Sequence, residues 1–138
     1  MASSLFLDTS YAIALSVKSD SNHQPALEIF RSLETGHANL ITTRAILLEI
    51  GNSLAKMRHR TAAVRLLTAL ENDPAVEIVG LSDDLYHKAF ELFQARPDKD
   101  WGLIDCFSFI VMADNGITDA LTADIHFEQA GFKALLRN

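Results

Sequence analysis

Leu5-Phe6-Leu7-Asp8-Thr9-Ser10 decides the fold. Three apolar residues in succession, with no polar alternation, are what a parallel strand covered on both faces requires, and the polar triplet behind them ends it. Working outward, a short helix is expected from Tyr11 to Val17, then a polar loop over Lys18 to His23. A helix follows from about Pro25 to Leu33, with Ala26, Leu27, Ile29, Phe30 and Leu33 as its apolar stripe and Gly36 as its stop. Asn39 to Thr42 reads as a second strand. Thr42 or Thr43 then caps a helix that carries Ile46, Leu47, Ile50 and Leu54 to about Met57, and another helix runs from about Thr61 to Leu70. Glu77 to Leu81 is a third strand. Ser82-Asp83-Asp84 opens a helix whose first-turn acids suit the helix dipole; it carries Leu85, Ala89, Leu92 and Phe93 and ends near Pro97. Gly102 to Asn115 is helical and apolar almost all round, hence interior, and Gly116 caps it. Asp119 to Thr122 is a fourth strand, Asp124 to Ala130 a short helix and Lys133 to Leu136 a last strand. Strands alternating with helices in this way predict an α/β class protein, a three-layer α/β/α sandwich on a mostly parallel sheet of about five strands.

The chain has 138 residues, the length of one domain, and no internal repeat or linker divides it, so residues 1–138 are expected to fold as a single unit. Hydrophobic residues at 49% and charged residues at 22% are ordinary for a globular protein, and six glycines and three prolines are too few for a disordered or fibrous one. No apolar run approaches the ~20 residues of a membrane span. The start, Met1-Ala2-Ser3-Ser4-Leu5, has neither a basic region nor a long apolar core, so no secretory signal is expected and a cytoplasmic location is. The lone cysteine, Cys106, excludes an internal disulfide framework and sits among apolar neighbours as a small core residue.

Open parallel sheets place their ligand sites at the carboxyl ends of the strands. Asp8 directly follows the first strand and Asp124 stands two residues beyond Thr122, so both should face one crevice; the plain alternative for each is an N-cap. Asp105 is harder to explain. On a helix apolar all round it falls between Met112 and Phe109, and a buried carboxylate needs a partner, a cation or water. Glu49 lies about 60° to one side of Ile46, at the border of its helix's apolar stripe, where a solvated edge is the simple reading. The four acids make sense together if they surround a divalent cation, which takes oxygen ligands and cancels their mutual repulsion.

The blocks Leu7-Asp8-Thr9-Ser10, Leu48-Glu49-Ile50-Gly51-Asn52, Asp98 to Phe109 and Leu121 to Phe132 resemble, in order and across the whole chain, the PIN-domain nucleases, in particular the VapC-type toxins. The last two blocks are the specific ones. The resemblance implies a site of Asp8, Glu49, Asp105 and Asp124 binding Mg²⁺ or Mn²⁺, with Thr122 as a supporting hydroxyl, and metal-dependent cleavage of RNA. Asp8 and Asp105 would be direct ligands, with Glu49 and Asp124 completing the shell directly or through water. It also implies a homodimer and a cognate antitoxin that blocks the site.

The net charge of −6 argues against nucleic-acid binding through general positive charge. The charge is uneven, however: between Arg44 and Arg65 stand five basic residues against the single acid Glu49. Arg44, Lys56, Arg58 and Arg60 are therefore the candidates for holding RNA phosphates, against the plain reading of a solubilising helix surface. His126 reads as a structural histidine in preference to a base or phosphate contact, and Trp101 as a cover for the core in preference to a base-stacking platform. A receiver domain and a haloacid-dehalogenase-like phosphatase also gather acids at strand ends. The first fails because the third strand ends Gly80-Leu81-Ser82, the second because Ser10 stands where a second aspartate is needed. A non-catalytic PIN-like module that binds RNA or protein, and a DNA-directed nuclease, remain as alternatives.

Overall fold

In the computed structural model, which describes residues 4–137, the first strand is the centre of the sheet. Met1 to Ser3, on which the reading of the amino terminus rests, lie outside the described residues. Strands β1 (Ser4–Leu7), β2 (Asn39–Thr43), β3 (Val76–Val79), β4 (Asp119–Leu121) and β5 (Lys133–Ala134) form one sheet in the order β3-β2-β1-β4-β5. Every pairing is parallel, with Phe6 opposite Ile41 on one side and Ala120 on the other. Among the described residues seven helices accompany it: α1 (Thr9–Ser16), α2 (His23–Gly36), α3 (Arg44–Ser53), α4 (Met57–Asn72), α5 (Asp83–Ala95), α6 (Leu103–Asp114) and α7 (Ile125–Gln129). None of them is long and apolar enough to cross a membrane.

This order places the site. The chain leaves β1 toward β2 and later returns to β1's other edge as β4, so β1 and β4 flank the point where the winding reverses and a crevice opens at their carboxyl ends. The Asp8 N–H donates to the Leu121 carbonyl at 3.2 Å, carrying the ladder one residue past β1 into that crevice. The consecutive apolar residues of β1 are buried as expected, with Phe6 fully enclosed. So is α6, where Cys106, Phe107, Phe109, Val111 and Met112 are all buried. Burial pushes the Cys106 thiol up to about 11, which suits an inert core residue. Trp101 is buried against Phe109, ring centres 5.0 Å apart, and donates to Gln129 Oε1, so it covers the core and is not free to stack a base.

Several boundaries depart from the sequence reading. α3 ends at Ser53, short of Met57: Leu54 is its C-cap and a buried anchor. α4 starts at Met57, ahead of Thr61; its first turn is mostly exposed and carries no apolar periodicity for the sequence reading to follow. The Arg60 guanidinium donates twice to the Ala55 carbonyl and secures the intervening turn. β3 stops at Val79, where its partner strand ends at Thr43, which leaves Gly80 and Leu81 outside the ladder. α2 continues through Gly36, and His37, at φ 53°, is the residue that takes the left-handed conformation. Thr43 caps α3 and Ser82 caps α5, each accepting from the backbone N–H three residues on.

Candidate active site

Asp8 sits at the floor of the crevice and is 5% exposed. It is the N-cap residue of α1, yet its side chain makes no capping bond. It turns across the sheet, where Oδ2 accepts from Thr122 Oγ1 at 2.6 Å and from Ser10 Oγ at 3.1 Å. Thr122 Oγ1 in turn accepts from the Asp124 N–H at 3.0 Å, and Ser10 Oγ accepts from the Ala123 N–H at 2.9 Å. Two hydroxyls thus tie the end of β1 to the segment after β4. Burial raises the Asp8 carboxyl to about 6 against the pull of the Thr122, Thr9 and Ser10 donors, and the charge of Asp105 adds to the rise.

Asp105 and Asp124 form the outer part. Asp105 lies in the first turn of α6, where Oδ2 accepts from the Gly102 N–H at 3.0 Å; the end of the helix, and no polar stripe along it, is how the side chain escapes the core. Burial is also the main reason its carboxyl is raised, with the charge of Asp124 acting the same way. Asp124 does act as an N-cap, its Oδ1 accepting from the His126 N–H at 2.9 Å. The partner that Asp105 needed is His126, whose Nδ1 is 3.1 Å from Asp105 Oδ2 and 3.3 Å from Asp124 Oδ1. A ring lone pair there would face two anionic oxygens, so Nδ1 carries the proton.

Among the described residues, one ligand atom each from Asp105, Asp124 and His126 lies within 4.8 Å of the others. Two carboxylates and an imidazole on facing elements, partly open to solvent, fit a divalent cation by donor type and spacing. Asp8 stands behind this group, joined to it through Thr122. Glu49 enters from α3, where its Oε1 accepts a short hydrogen bond from Thr9 Oγ1, on the residue next to Asp8. Sequence reading passed over Thr9, Ser10 and the pairing of His126 with the two carboxylates. The signal available was local: Thr9-Ser10 follows Asp8 directly, and His126 stands two residues beyond Asp124, in the first turn of its helix.

The basic residues are arranged differently. Arg44 is ion-paired with Glu71, an acid outside the positively charged stretch. Lys56, Arg58 and Arg60 are exposed, with Arg58 donating to the ring of His59.

The model of the PIN domain family matches residues 5–133. The chain belongs to the PIN domain family. Among its relatives, the 23S rRNA-specific endonuclease VapC20 of Mycobacterium tuberculosis is 28% identical over 128 residues, which cover 93% of this chain and 95% of the relative. The crystal structure of Mycobacterium tuberculosis VapC20, a sarcin-ricin loop cleaving toxin, matches this PIN domain with a TM-score of 0.84 at 27% identity, over 93% of this chain and 95% of that one. VapBC2 from Rickettsia felis, bound to a DNA fragment from its promoter, matches with a TM-score of 0.66 at 16% identity, over 95% and 96%; this likeness carries the fold alone.

Proposed function

We propose that this PIN domain is a divalent-metal-dependent endoribonuclease, the toxin of a toxin–antitoxin pair, acting in the cytoplasm as a single domain over residues 1–138. The observation that carries the reading is the convergence of Asp105 and Asp124 in front of the buried Asp8, at the carboxyl edge of a parallel sheet. Asp8, Glu49, Asp105 and Asp124 would hold Mg²⁺ or Mn²⁺. A cation bound there supplies positive charge at the scissile phosphate and lowers the pKa of the attacking water.

The chain's own residues prepare the rest. Thr122 and Ser10 fix the Asp8 carboxylate, so that no reorganisation is needed when a cation neutralises it. Thr122 serves Asp124 as well, through the backbone N–H it accepts from. Thr9 holds Glu49 toward the same edge. Lys56, Arg58 and Arg60, with Arg44 once released from Glu71, would offset the acidic centre for an approaching phosphate chain.

Similarity to a 23S rRNA-specific endonuclease supports structured RNA as the substrate class, with a sarcin-ricin hairpin the first to try. The exposed Tyr86, Phe90 and Phe93 on α5 support a homodimer, and an apolar cavity of about 630 Å³ walled by Leu7, Tyr11, Leu15, Phe30 and Leu33 supports a protein partner, the antitoxin. The test is cleavage of that hairpin and of a tRNA pool by antitoxin-free protein with Mg²⁺, Mn²⁺ or EDTA, beside Asp105→Asn. Metal-dependent cutting that the folded variant lacks is the expected result. Cutting that persists in EDTA or in the variant overturns the assignment.

A further inference from the structure

The two outer carboxylates converge on a ring nitrogen. His126 Nδ1 lies 3.1 Å from Asp105 Oδ2 and 3.3 Å from Asp124 Oδ1. In an octahedral shell with bonds of about 2.1 Å, neighbouring ligand atoms are about 3 Å apart. Both separations therefore suit adjacent corners of one coordination shell as well as they suit hydrogen bonds. The spacing is also imposed by the chain: His126 donates its backbone N–H to the same Asp124 oxygen that its ring faces, so the first turn of α7 holds both donors toward Asp105. The ring, with 26% of its side chain exposed, is enclosed enough to be held and open enough to be reached.

We propose that His126 Nδ1 is a ligand of the site's cation, and that this nitrogen donor biases the site toward Mn²⁺ over Mg²⁺. The inference rests on the reading of the site as a metal-dependent nuclease centre. Without metal the ring offers Nδ1–H to the two carboxylates; in the ligating state the neutral ring carries that proton on Nε2, and Nδ1 presents its lone pair. Magnesium is a hard ion that favours oxygen and gives up water reluctantly, whereas first-row transition ions accept imidazole readily. A ring that only held the two carboxylates together would put no nitrogen on the metal.

The test is electron spin-echo envelope modulation of Mn²⁺ bound to the full chain, natural-abundance and [¹⁵N]histidine-labelled, beside His126→Asn. Asparagine can still donate to the Asp105 carboxylate but is a poor metal ligand. Expected are ¹⁴N modulation in the unlabelled protein, its replacement by a ¹⁵N signal on labelling, and its absence in the variant. The ratio of Mn²⁺ to Mg²⁺ affinity, from competitive titration calorimetry, falls about tenfold in the variant. Bound Mn²⁺ without nitrogen modulation overturns the proposal and leaves the carboxylate site standing. Modulation that survives in His126→Asn assigns the nitrogen elsewhere and overturns it too. Failure of the wild-type chain to bind Mn²⁺ overturns both this inference and the metal-dependent reading beneath it. If His126→Asn does not fold, His126→Gln takes its place, because the labelled wild type shows only that a histidine nitrogen is on the metal and a variant at position 126 is what assigns it.

Discussion

The acidic crevice and the basic segment at the start of α4 are built on opposite plans. In the crevice three bonds join side chains far apart in sequence: Thr122 to Asp8 across 114 residues, Thr9 to Glu49 across 40, His126 to Asp105 across 21. In the basic segment the bonds are local, from Arg60 to Ala55 and from Arg58 to its neighbour His59. Only Arg44 reaches far, and it reaches an acid. Bonds across the sheet hold the carboxylates where folding puts them, before any ligand arrives. Exposed cations tied only to nearby groups must give up or share those local bonds when a partner arrives. Losses in the first region should be steep, and those in the second graded.

The steepest loss is expected at Asp8. Asp8→Asn removes a charge at nearly constant volume, and cleavage should fall about a thousandfold, the effect of several kcal/mol of lost charge stabilisation. Single-turnover rates on a sarcin-ricin hairpin, with circular dichroism as a check on folding, measure it. Full activity in a folded variant would remove Asp8 from the site.

The same variant reports on stability. The Asp8 carboxyl is raised from 3.8 to about 6 by burial, so between those values the folded chain holds a proton that the unfolded chain has released. Stability contributed by this group is present below about pH 4 and is lost as pH rises through about 6. Without metal, the unfolding free energy of Asp8→Asn relative to wild type should climb by about 3 kcal/mol from pH 3 to pH 8. Urea melts in EDTA across that range give the comparison, and parallel curves would refute it. Next comes Thr122→Val, which keeps the shape and deletes the hydroxyl shared by Asp8 and Asp124. Metal affinity should drop ~10–100-fold, as for other groups that orient ligands, and calorimetry with Mn²⁺ reads it.

This contrast in construction also explains what could be read in advance. The sheet was legible because Leu5-Phe6-Leu7 and the apolar α6 carry their burial in consecutive residues. Asp8 and Asp124 were legible because strand ends are where such sheets put their chemistry, and Asp105 because its neighbours on the helix are apolar. His126 was not. A histidine beside Phe127 looks structural until the fold brings α6 against α7 and turns its ring between two carboxylates. Thr9 and Ser10 were hidden for the same reason, since a hydroxyl gains meaning only from a partner tens of residues away. The beginning of α4 was missed because an exposed helical turn, held by Arg60 on Ala55, leaves no apolar period to find.

The basic segment supplies the gentler predictions. Reversing Arg58 and Arg60 to Glu should weaken RNA binding and flatten its salt dependence by about one unit of slope for each phosphate that is no longer neutralised. Filter binding of a non-cleaved RNA to Asp105→Asn protein, across a salt series, measures both. Unchanged slope would dismiss the patch.

The smallest effect is expected at Glu71, and it separates charge counted along the chain from charge available in the fold. The sequence count credits Arg44 to the positive stretch, but the fold pairs it with Glu71, so its charge is largely spoken for. Both side chains are nearly half exposed, and exposed pairs of this kind are worth at most about 1 kcal/mol. Releasing Arg44 by Glu71→Gln should therefore cost little stability while tightening RNA binding a few-fold at low salt, a gain that fades as salt screens it. Arg44→Gln should lose only as much as the paired arginine now contributes, less than Arg58→Gln loses. If Glu71→Gln leaves affinity unchanged while Arg44→Gln reduces it strongly, the pair opens whenever RNA binds, and Arg44 belongs with the exposed cations that its position in the sequence suggests.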